Sequence, residues 1–285
     1  GAPPDQYNQG GQDWGQPPWN PLKLEELEYE PFRAMVRAAL NRVGGLRIDH
    51  IIGLFRLWWV PEGLGPSAGT YVRYNHEAMV GILALEAYRA QALVVGEDLG
   101  TVEPWVREYL ARRGLLGTAI LWWEYGSDGQ VLPPEEWREY CMASVTTHDL
   151  PPTLGYLEGG HVKLREELGL LLEPVEDELA AAEQERNRWV KRLIAFGVLD
   201  ENLADDQVEV MLALHRYLRL TGSKVLVASL ADAAGEKRAQ NQPGTTDEYP
   251  NWRIPLADSE GQPVKLEELF TASLPRRVAE VMNQG

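Results

Sequence analysis

Short apolar segments alternate with helical patterns along this 285-residue chain, and this alternation constrains its fold more than any other feature. Residues 92–96 (ALVVG) and 119–123 (AILWW) are apolar along their whole length, without alternating polar side chains. Such strands are buried on both faces, which is typical of a parallel sheet covered by helices. The sequence therefore predicts an α/β fold built around a parallel sheet.

Five strands are predicted, and they end near residues 49, 97, 123, 148 and 230. Apolar residues at helical spacing predict helices over residues 22–42, 77–90, 102–113, 173–196, 205–220 and 266–282. Five strands are too few for an eight-stranded barrel. Two alternatives follow: a smaller doubly wound sheet, or a barrel whose first strands are absent from this chain.

The net charge of the chain argues against two classes of binding partner. The formal net charge is −16, which argues against a nucleic-acid or anionic-membrane partner, since either needs a basic face. No segment reaches the length of a membrane span.

A single cysteine, Cys141, forms no intramolecular disulfide, so a reduced, cytoplasmic setting is expected. The chain begins without Met in a loop-like segment, so we expect it to be a fragment.

Acidic residues recur where predicted strands end. Asp49 follows the first strand, Glu97 the second, and Asp149 follows the segment 143–147. The carboxyl ends of neighbouring parallel strands meet at one rim of a sheet, so we expect these acids to converge. For any one of them, a helix cap or an ion pair is about as reasonable as a catalytic role. Three acids at one predicted rim favour catalysis.

Two carboxyl groups in different environments are the machinery of retaining glycosyl transfer, where one attacks and the other transfers a proton. Arg47 places a positive charge beside Asp49, and His50 and His148 are able to donate hydrogen bonds to sugar hydroxyls. For this mechanism two of the three carboxyl groups are expected to lie about 5–5.5 Å apart.

Other kinds of site have less support. The sequence has no P-loop and no Gly-x-Gly-x-x-Gly after a strand, so nucleotide binding is not indicated. The five histidines show no metal-ligand spacing, and we expect neither a metal nor a cofactor.

Five long motifs in this chain resemble the 4-α-glucanotransferases (amylomaltases) of glycoside hydrolase family 77. They are GAPPDQYNQGGQDWGQPPW (1–19), GLRIDHIIGLFRLWWVP (45–61), VVGEDLGTV (94–102), TTHDLPPT (146–153) and PGTTDEYPNWR (243–253). The resemblance implies that Asp49 is the nucleophile, Glu97 the general acid/base and Asp149 a third carboxylate that stabilises the transition state. Arg47, His50, His148 and Asn241 are then substrate-binding residues. The loop over residues 1–21, with Asp5, Tyr7 and Trp14, resembles a loop that covers the acceptor side.

The resemblance also bears on the missing strands. It implies a (β/α)8 TIM barrel, of which residues 1–285 are the C-terminal portion with about the last five strands. Residues 22–285 then form the β/α units, and the front half of the barrel lies upstream. The expected activity is transfer of α-1,4-glucan segments between maltooligosaccharides, and the fragment alone is expected to be inactive. An α-glucan hydrolase and a non-catalytic glucan-binding fragment are the alternatives. Self-association through an open sheet edge is also expected.

Overall fold

The computed structural model describes residues 1–4, 10–100 and 102–283, which form two compact units, Gly1–Thr118 and Ala119–Gly285. Helices and short strands alternate in both units, and the strands form sheets of two or three. The predicted α/β class is therefore confirmed.

The described residues of the first unit form a parallel strand pair, an antiparallel ribbon and four α-helices. Its elements are α1 (Pro21–Glu26), α2 (Glu30–Leu40), β1 (Gly45–Ile48), β2 (Arg56–Trp59), β3 (Thr70–Arg73), α3 (His76–Ala90), β4 (Leu93–Gly96) and α4 (Pro104–Arg112). Strands β1 and β4 pair in parallel, with Ile48 opposite Gly96. Strands β2 and β3 pair antiparallel, with Arg56 opposite Arg73. A further strand, β5 (Gly117–Ile120), begins at the end of this unit.

Helices α2 and α3 supply much of the core of the first unit. Phe32, Val36 and Leu40 repeat every four residues on α2, and all three are buried, as one face of a helix requires. Val80 and Leu83 on α3 are fully buried in the same cluster.

The second unit contains the end of β5 and the remaining elements. These are β6 (Cys141–Ser144), α5 (Thr153–Leu157), α6 (Gly160–Glu167), α7 (Val175–Ala195), α8 (Gln207–Arg219), β7 (Val225–Val227), α9 (Leu230–Ala234), α10 (Leu266–Leu269) and α11 (Ser273–Asn283). The sheet order is β5-β6-β7, and β6 and β7 are parallel, with Ser144 opposite Val227. Helix α8 is the central helix, because most of its residues from Val210 to Leu218 are buried.

Two predicted helices are interrupted, each near a proline. The prediction of one helix over 22–42 is wrong, because Glu28 and Tyr29 adopt left-handed backbone between α1 and α2. Pro31 has no N–H to donate to the carbonyl of Leu27, so a helix cannot continue through this point without losing a bond. The prediction of one helix over 266–282 is wrong in the same way, since α10 ends at Leu269 and Pro275 lies at the start of α11.

Strand ends also differ from the predictions. The segment 119–123 is not strand throughout, because β5 ends at Ile120 and Leu121–Trp123 is a 3-10 turn. Strand β6 ends at Ser144, so His148 and Asp149 lie on a loop beyond it and not directly at a strand end. Helix α4 begins at Pro104, two residues after the predicted start, because proline is favoured in the first helical turn. Thr101, which precedes the predicted helix 102–113 and is a plausible cap by its residue type, lies outside the described residues.

Across the described part of the chain, each helix is too short or too polar to cross a lipid bilayer.

Candidate active site

Asp49 is the first residue after β1, as predicted. Its side chain is 59% exposed, and its Oδ1 accepts a hydrogen bond of 2.8 Å from Nη1 of Arg47. Arg47 lies two positions earlier on the same strand, where side chains point to the same face. The strand geometry therefore places a positive charge beside an accessible carboxylate.

Glu97 lies beside Asp49 because of the strand register. Ile48 and Gly96 are partners in the parallel pair, so the next residue of each strand is one of the two acids. A carboxylate oxygen of Asp49 and one of Glu97 lie within 4.8 Å of each other. Glu97 is only 7% exposed. The pair thus combines an accessible acid with a buried one.

Backbone amides fix the side chain of Glu97. Oε2 accepts a hydrogen bond of 2.8 Å from the amide of His50, and Oε1 accepts one of 2.6 Å from the amide of Leu99. Both donors come from loops that follow β1 and β4. The carboxyl group is consequently held in one orientation by the same strand ends that supply the two acids.

The ring of His50 lies against both acids. Its Nδ1 is 3.3 Å from Oε2 of Glu97, and its Nε2 is 3.6 Å from Oδ2 of Asp49. The backbone of His50 is left-handed, with φ 48° and ψ 54°, a conformation that costs on the order of 1 kcal/mol or more for a non-glycine residue. Trp14 stacks on the ring of His50, with centroids 4.6 Å apart and planes at 24°. Asp5 and Tyr7 lie outside the described residues.

Gly96 is a site residue that sequence reasoning missed. A Cβ at this position would lie 2.3 Å from Cδ1 of Ile51, whose side chain is fully buried. Ile51 follows His50, and its amide donates to the carbonyl of Glu97 at 3.0 Å. Only glycine permits this approach of the two strand ends.

Asp98 directly follows Glu97 in the sequence, but its side chain stabilises the fold. Its side chain is buried, and Oδ1 accepts a hydrogen bond of 2.8 Å from the amide of Thr118. Oδ2 lies 3.6 Å from Nε of Arg107. These contacts tie the segment after β4 to the start of β5.

Asp149 belongs to the second unit, on the loop between β6 and α5. Its Oδ1 accepts a hydrogen bond of 2.7 Å from Nδ2 of Asn241, and its Oδ2 lies 3.3 Å from Nε2 of His148. Both acid and histidine are partly exposed. The structure therefore brings together three of the predicted site residues within this unit.

A buried carboxylate supports the Asp149 loop from inside the second unit. Asp232 on α9 accepts hydrogen bonds from the amide and the hydroxyl of Thr153, at 2.6 and 2.7 Å. Its Oδ2 is 3.7 Å from Nε2 of His215, which is equally buried. Burial raises the pKa of Asp232, while the charge of His215 and the Thr153 bonds act in the opposite direction. Thr153 begins α5, so Asp232 fixes the point at which the Asp149 loop ends.

A second buried carboxylate, Glu236, supports the segment that carries Asn241. It accepts hydrogen bonds from the amides of Lys237, Arg238 and Ala257, each 2.9 Å long. The Arg238 guanidinium adds two more, at 3.0 and 2.7 Å. Burial alone acts to raise the pKa of Glu236, but these bonds outweigh it and the pKa lies below its ordinary value.

Asp49, His50 and Glu97 form the one group of three possible metal ligands among the described residues, with ligand atoms within 4.8 Å. Both Glu97 oxygens already accept amide hydrogen bonds. The arrangement therefore suits two acids in different environments better than a cation site.

The chain is similar in sequence to known 4-alpha-glucanotransferases. The family model described as 4-alpha-glucanotransferase matches residues 1–260. The chain is 60% identical to a 4-alpha-glucanotransferase of Mycobacterium tuberculosis, over 99% of this chain and 40% of that protein. It is 31% identical to the 4-alpha-glucanotransferase of Haemophilus influenzae, over 90% of this chain and 38% of that protein.

Solved structures agree with these matches. The amylomaltase of Corynebacterium glutamicum superimposes with a TM-score of 0.95 at 48% identity, covering all of this chain and 42% of that one. An amylomaltase of Streptococcus agalactiae in complex with acarbose gives a TM-score of 0.69 at 19% identity, over 99% of this chain and 49% of that one. The second likeness concerns the fold alone.

Proposed function

Because this chain belongs to the 4-alpha-glucanotransferase family, we propose that it supplies the catalytic acids of an enzyme that transfers α-1,4-glucan segments with retention. The acceptor is a maltooligosaccharide or glucose. The expected resemblance to this family is confirmed, and the transfer mechanism is our proposal.

The observation that carries the proposal is the Asp49–Glu97 pair. Retaining enzymes hold their carboxyl groups about 5–5.5 Å apart, whereas inverting enzymes separate them by about 6.5–9.5 Å to admit a water. Oxygens of the two acids lie within 4.8 Å of each other, which supports the retaining arrangement. The two acids also differ in exposure, as their two roles require.

In the first step, an Oδ of Asp49 attacks the anomeric carbon of the donor glucan. The glycosidic C–O bond breaks, and Glu97 gives its proton to the leaving O4, so that a β-glucosyl ester forms on Asp49. Arg47, bonded to Asp49 at 2.8 Å, orients the attacking carboxylate.

In the second step, Glu97 acts as the base. It takes the proton from the 4-hydroxyl of an acceptor sugar, whose oxygen attacks the anomeric carbon and displaces Asp49. Asp149 and His148 bind hydroxyls of the reacting sugar, and Asn241 orients Asp149 through their 2.7 Å bond. The loop over residues 1–21 covers the acceptor side and excludes water, which favours transfer over hydrolysis. The stacking of Trp14 on His50 supports this role.

The chain spans about 40% of the length of the mycobacterial relatives that it matches. We propose that residues 1–285 are the C-terminal portion of a (β/α)8 barrel, with about its last five strands, and that an upstream segment completes the barrel. Donor-side residues of that segment would then be needed for activity, so the isolated chain is expected to transfer poorly.

The test is incubation with maltotriose of the 285-residue chain and of a longer form with the upstream segment that its relatives have. The expected result for the longer form is glucose plus oligomers longer than maltotriose, with nearly constant reducing ends. A steady rise in reducing ends would identify a hydrolase. Maltoheptaose binding without turnover in both forms would identify a non-catalytic glucan-binding protein.

A further inference from the structure

Trp252 combines two unfavourable features, a left-handed backbone and an exposed indole ring. Its backbone has φ 61°, in the left-handed region where a bulky residue is an outlier. Its side chain is nevertheless 63% exposed, so the residue gains little from burial. Backbone strain of this kind persists where the surroundings enforce it, and it clusters at functional sites.

The contacts that fix this backbone do not need an indole. The amide of Trp252 donates to the carbonyl of Gln240 at 2.8 Å, and the amide of Arg253 donates to the carbonyl of Pro250 at 3.0 Å. Both are main-chain bonds, which glycine would form equally well and without strain. The side chain is therefore not required to build the turn.

The location of Trp252 indicates what the side chain does. Its backbone partner Gln240 precedes Asn241, which binds Asp149 at 2.7 Å. The indole ring lies beside the ring of His148, with centroids 5.6 Å apart and planes at 40°. An exposed flat apolar surface thus adjoins a carboxylate, an imidazole and an amide.

We propose that Trp252 is a stacking platform for a glucose unit of the α-1,4-glucan, next to the sugar that Asp149 holds. A glucose ring has an apolar C–H face and a rim of hydroxyls, so it requires an aromatic surface beside hydrogen-bonding groups. Trp252 supplies the first, and Asp149, His148 and Asn241 supply the second. This assignment rests on the proposed function, since it presumes a glucan at this site.

The experiment compares Trp252→Gly, Trp252→Phe and Phe270→Ala in the longer form of the protein, which includes the upstream segment that its relatives have. Phe270 is a matched control in the same unit, because it is 76% exposed and has an ordinary φ of −65°. For each variant, the Kd for maltoheptaose, the kcat and KM for transfer, and the thermal midpoint are measured.

Trp252→Gly is expected to weaken maltoheptaose binding about tenfold, mainly through KM. Its thermal midpoint should stay within about 2 °C of the parent or rise, because the backbone strain is relieved. Trp252→Phe should keep the affinity within about threefold, and Phe270→Ala should change neither quantity.

Parent-like affinity of Trp252→Gly in a protein that still transfers glucan would overturn the assignment and leave the proposed function intact. So would a fall of more than about 4 °C in the midpoint of Trp252→Gly with no recovery of binding in Trp252→Phe, which indicates a structural role. Absence of transfer and of maltoheptaose binding in the parent would instead overturn the proposed function, and this assignment with it.

Discussion

The two units hold their candidate site acids in different ways. In the first unit, Asp49 and Glu97 each follow a strand directly, and the parallel register of β1 and β4 sets them side by side. In the second unit, Asp149 lies on a loop five residues past the end of β6. Its loop is held by Asp232, which is 79 residues away along the chain from its partner Thr153.

The acids of the two units are therefore positioned by different kinds of interaction. The first pair depends on main-chain N–H donors, which every residue type except proline supplies, and on one glycine that lets the strand ends approach. The Asp149 group depends on two buried carboxylates, Asp232 and Glu236, that no substrate needs to touch. We therefore expect the first site to tolerate changes around it better than the second, apart from the acids themselves and Gly96.

Substitution of the acids in the first pair should give the largest effect. Asp49→Asn and Glu97→Gln keep the shape of the side chains but remove the proposed nucleophile and the proposed proton donor. We expect transfer activity to fall by about 10³–10⁴-fold or more, with little change in the thermal midpoint. The measurement is transfer from maltotriose in the longer form. If either variant retains a tenth of the parent activity, the proposed catalytic role of that acid is wrong.

Asp232→Ala should be the most destabilising change beneath the second site. It leaves the buried amide and hydroxyl of Thr153 without their acceptor, which costs about 2–5 kcal/mol of unfolding free energy. Urea denaturation measures this loss. Asp232→Asn keeps the shape and one acceptor oxygen, so it should lose less. Hydrogen exchange should accelerate at Thr153 and not at β1 and β4; equal acceleration at both would refute a local supporting role.

Mild acid should act on the second unit through His161. Burial and, to a smaller extent, the charge of Arg165 lower the pKa of His161 to about 4. The unfolded chain binds a proton near pH 6.5 and the folded chain does not, so stability is complete above pH 6.5 and falls as the pH decreases towards 4. The loss at the low end is up to about 3 kcal/mol.

The check is the pH dependence of urea denaturation for the parent and for His161→Phe, which preserves stacking on Tyr156. The variant should show a smaller loss between pH 6.5 and 4. Identical slopes in the two proteins would mean that His161 does not contribute to acid sensitivity.

Gly96→Ala tests the close approach in the first unit and should give the smallest of these effects. The added methyl group collides with Ile51, so we expect a loss of about 1–3 kcal/mol and reduced transfer as Glu97 shifts. Gly81→Ala on α3 is the control, because nothing lies within 4 Å of the added Cβ and alanine favours a helix. Equal behaviour of the two variants in urea would contradict the packing argument.

The same contrast explains how much the sequence could predict. Asp49 and Glu97 were predictable because an apolar strand followed by an acid is a local pattern. The contacts that hold the Asp149 loop were not predictable from the sequence. In the sequence, Asp232 and Glu236 look like ordinary acids of a helix and a loop, and only the tertiary fold buries them. The β2–β3 ribbon was also missed, since Thr70–Arg73 is only four residues long. The expected convergence of all three acids at one rim stays a prediction.

The central claim is that Asp49 forms a covalent bond with the sugar during transfer. The most direct test treats the Glu97→Gln variant of the longer form with α-maltosyl fluoride, whose leaving group needs no proton. Without the base, the glycosyl-enzyme should accumulate. Intact-mass spectrometry should show one added maltosyl unit, and peptide mapping should place it on the peptide that contains Asp49. The adduct should be absent from the Asp49→Asn, Glu97→Gln double variant. An adduct on another residue, or release of β-maltose without any adduct, would contradict the account.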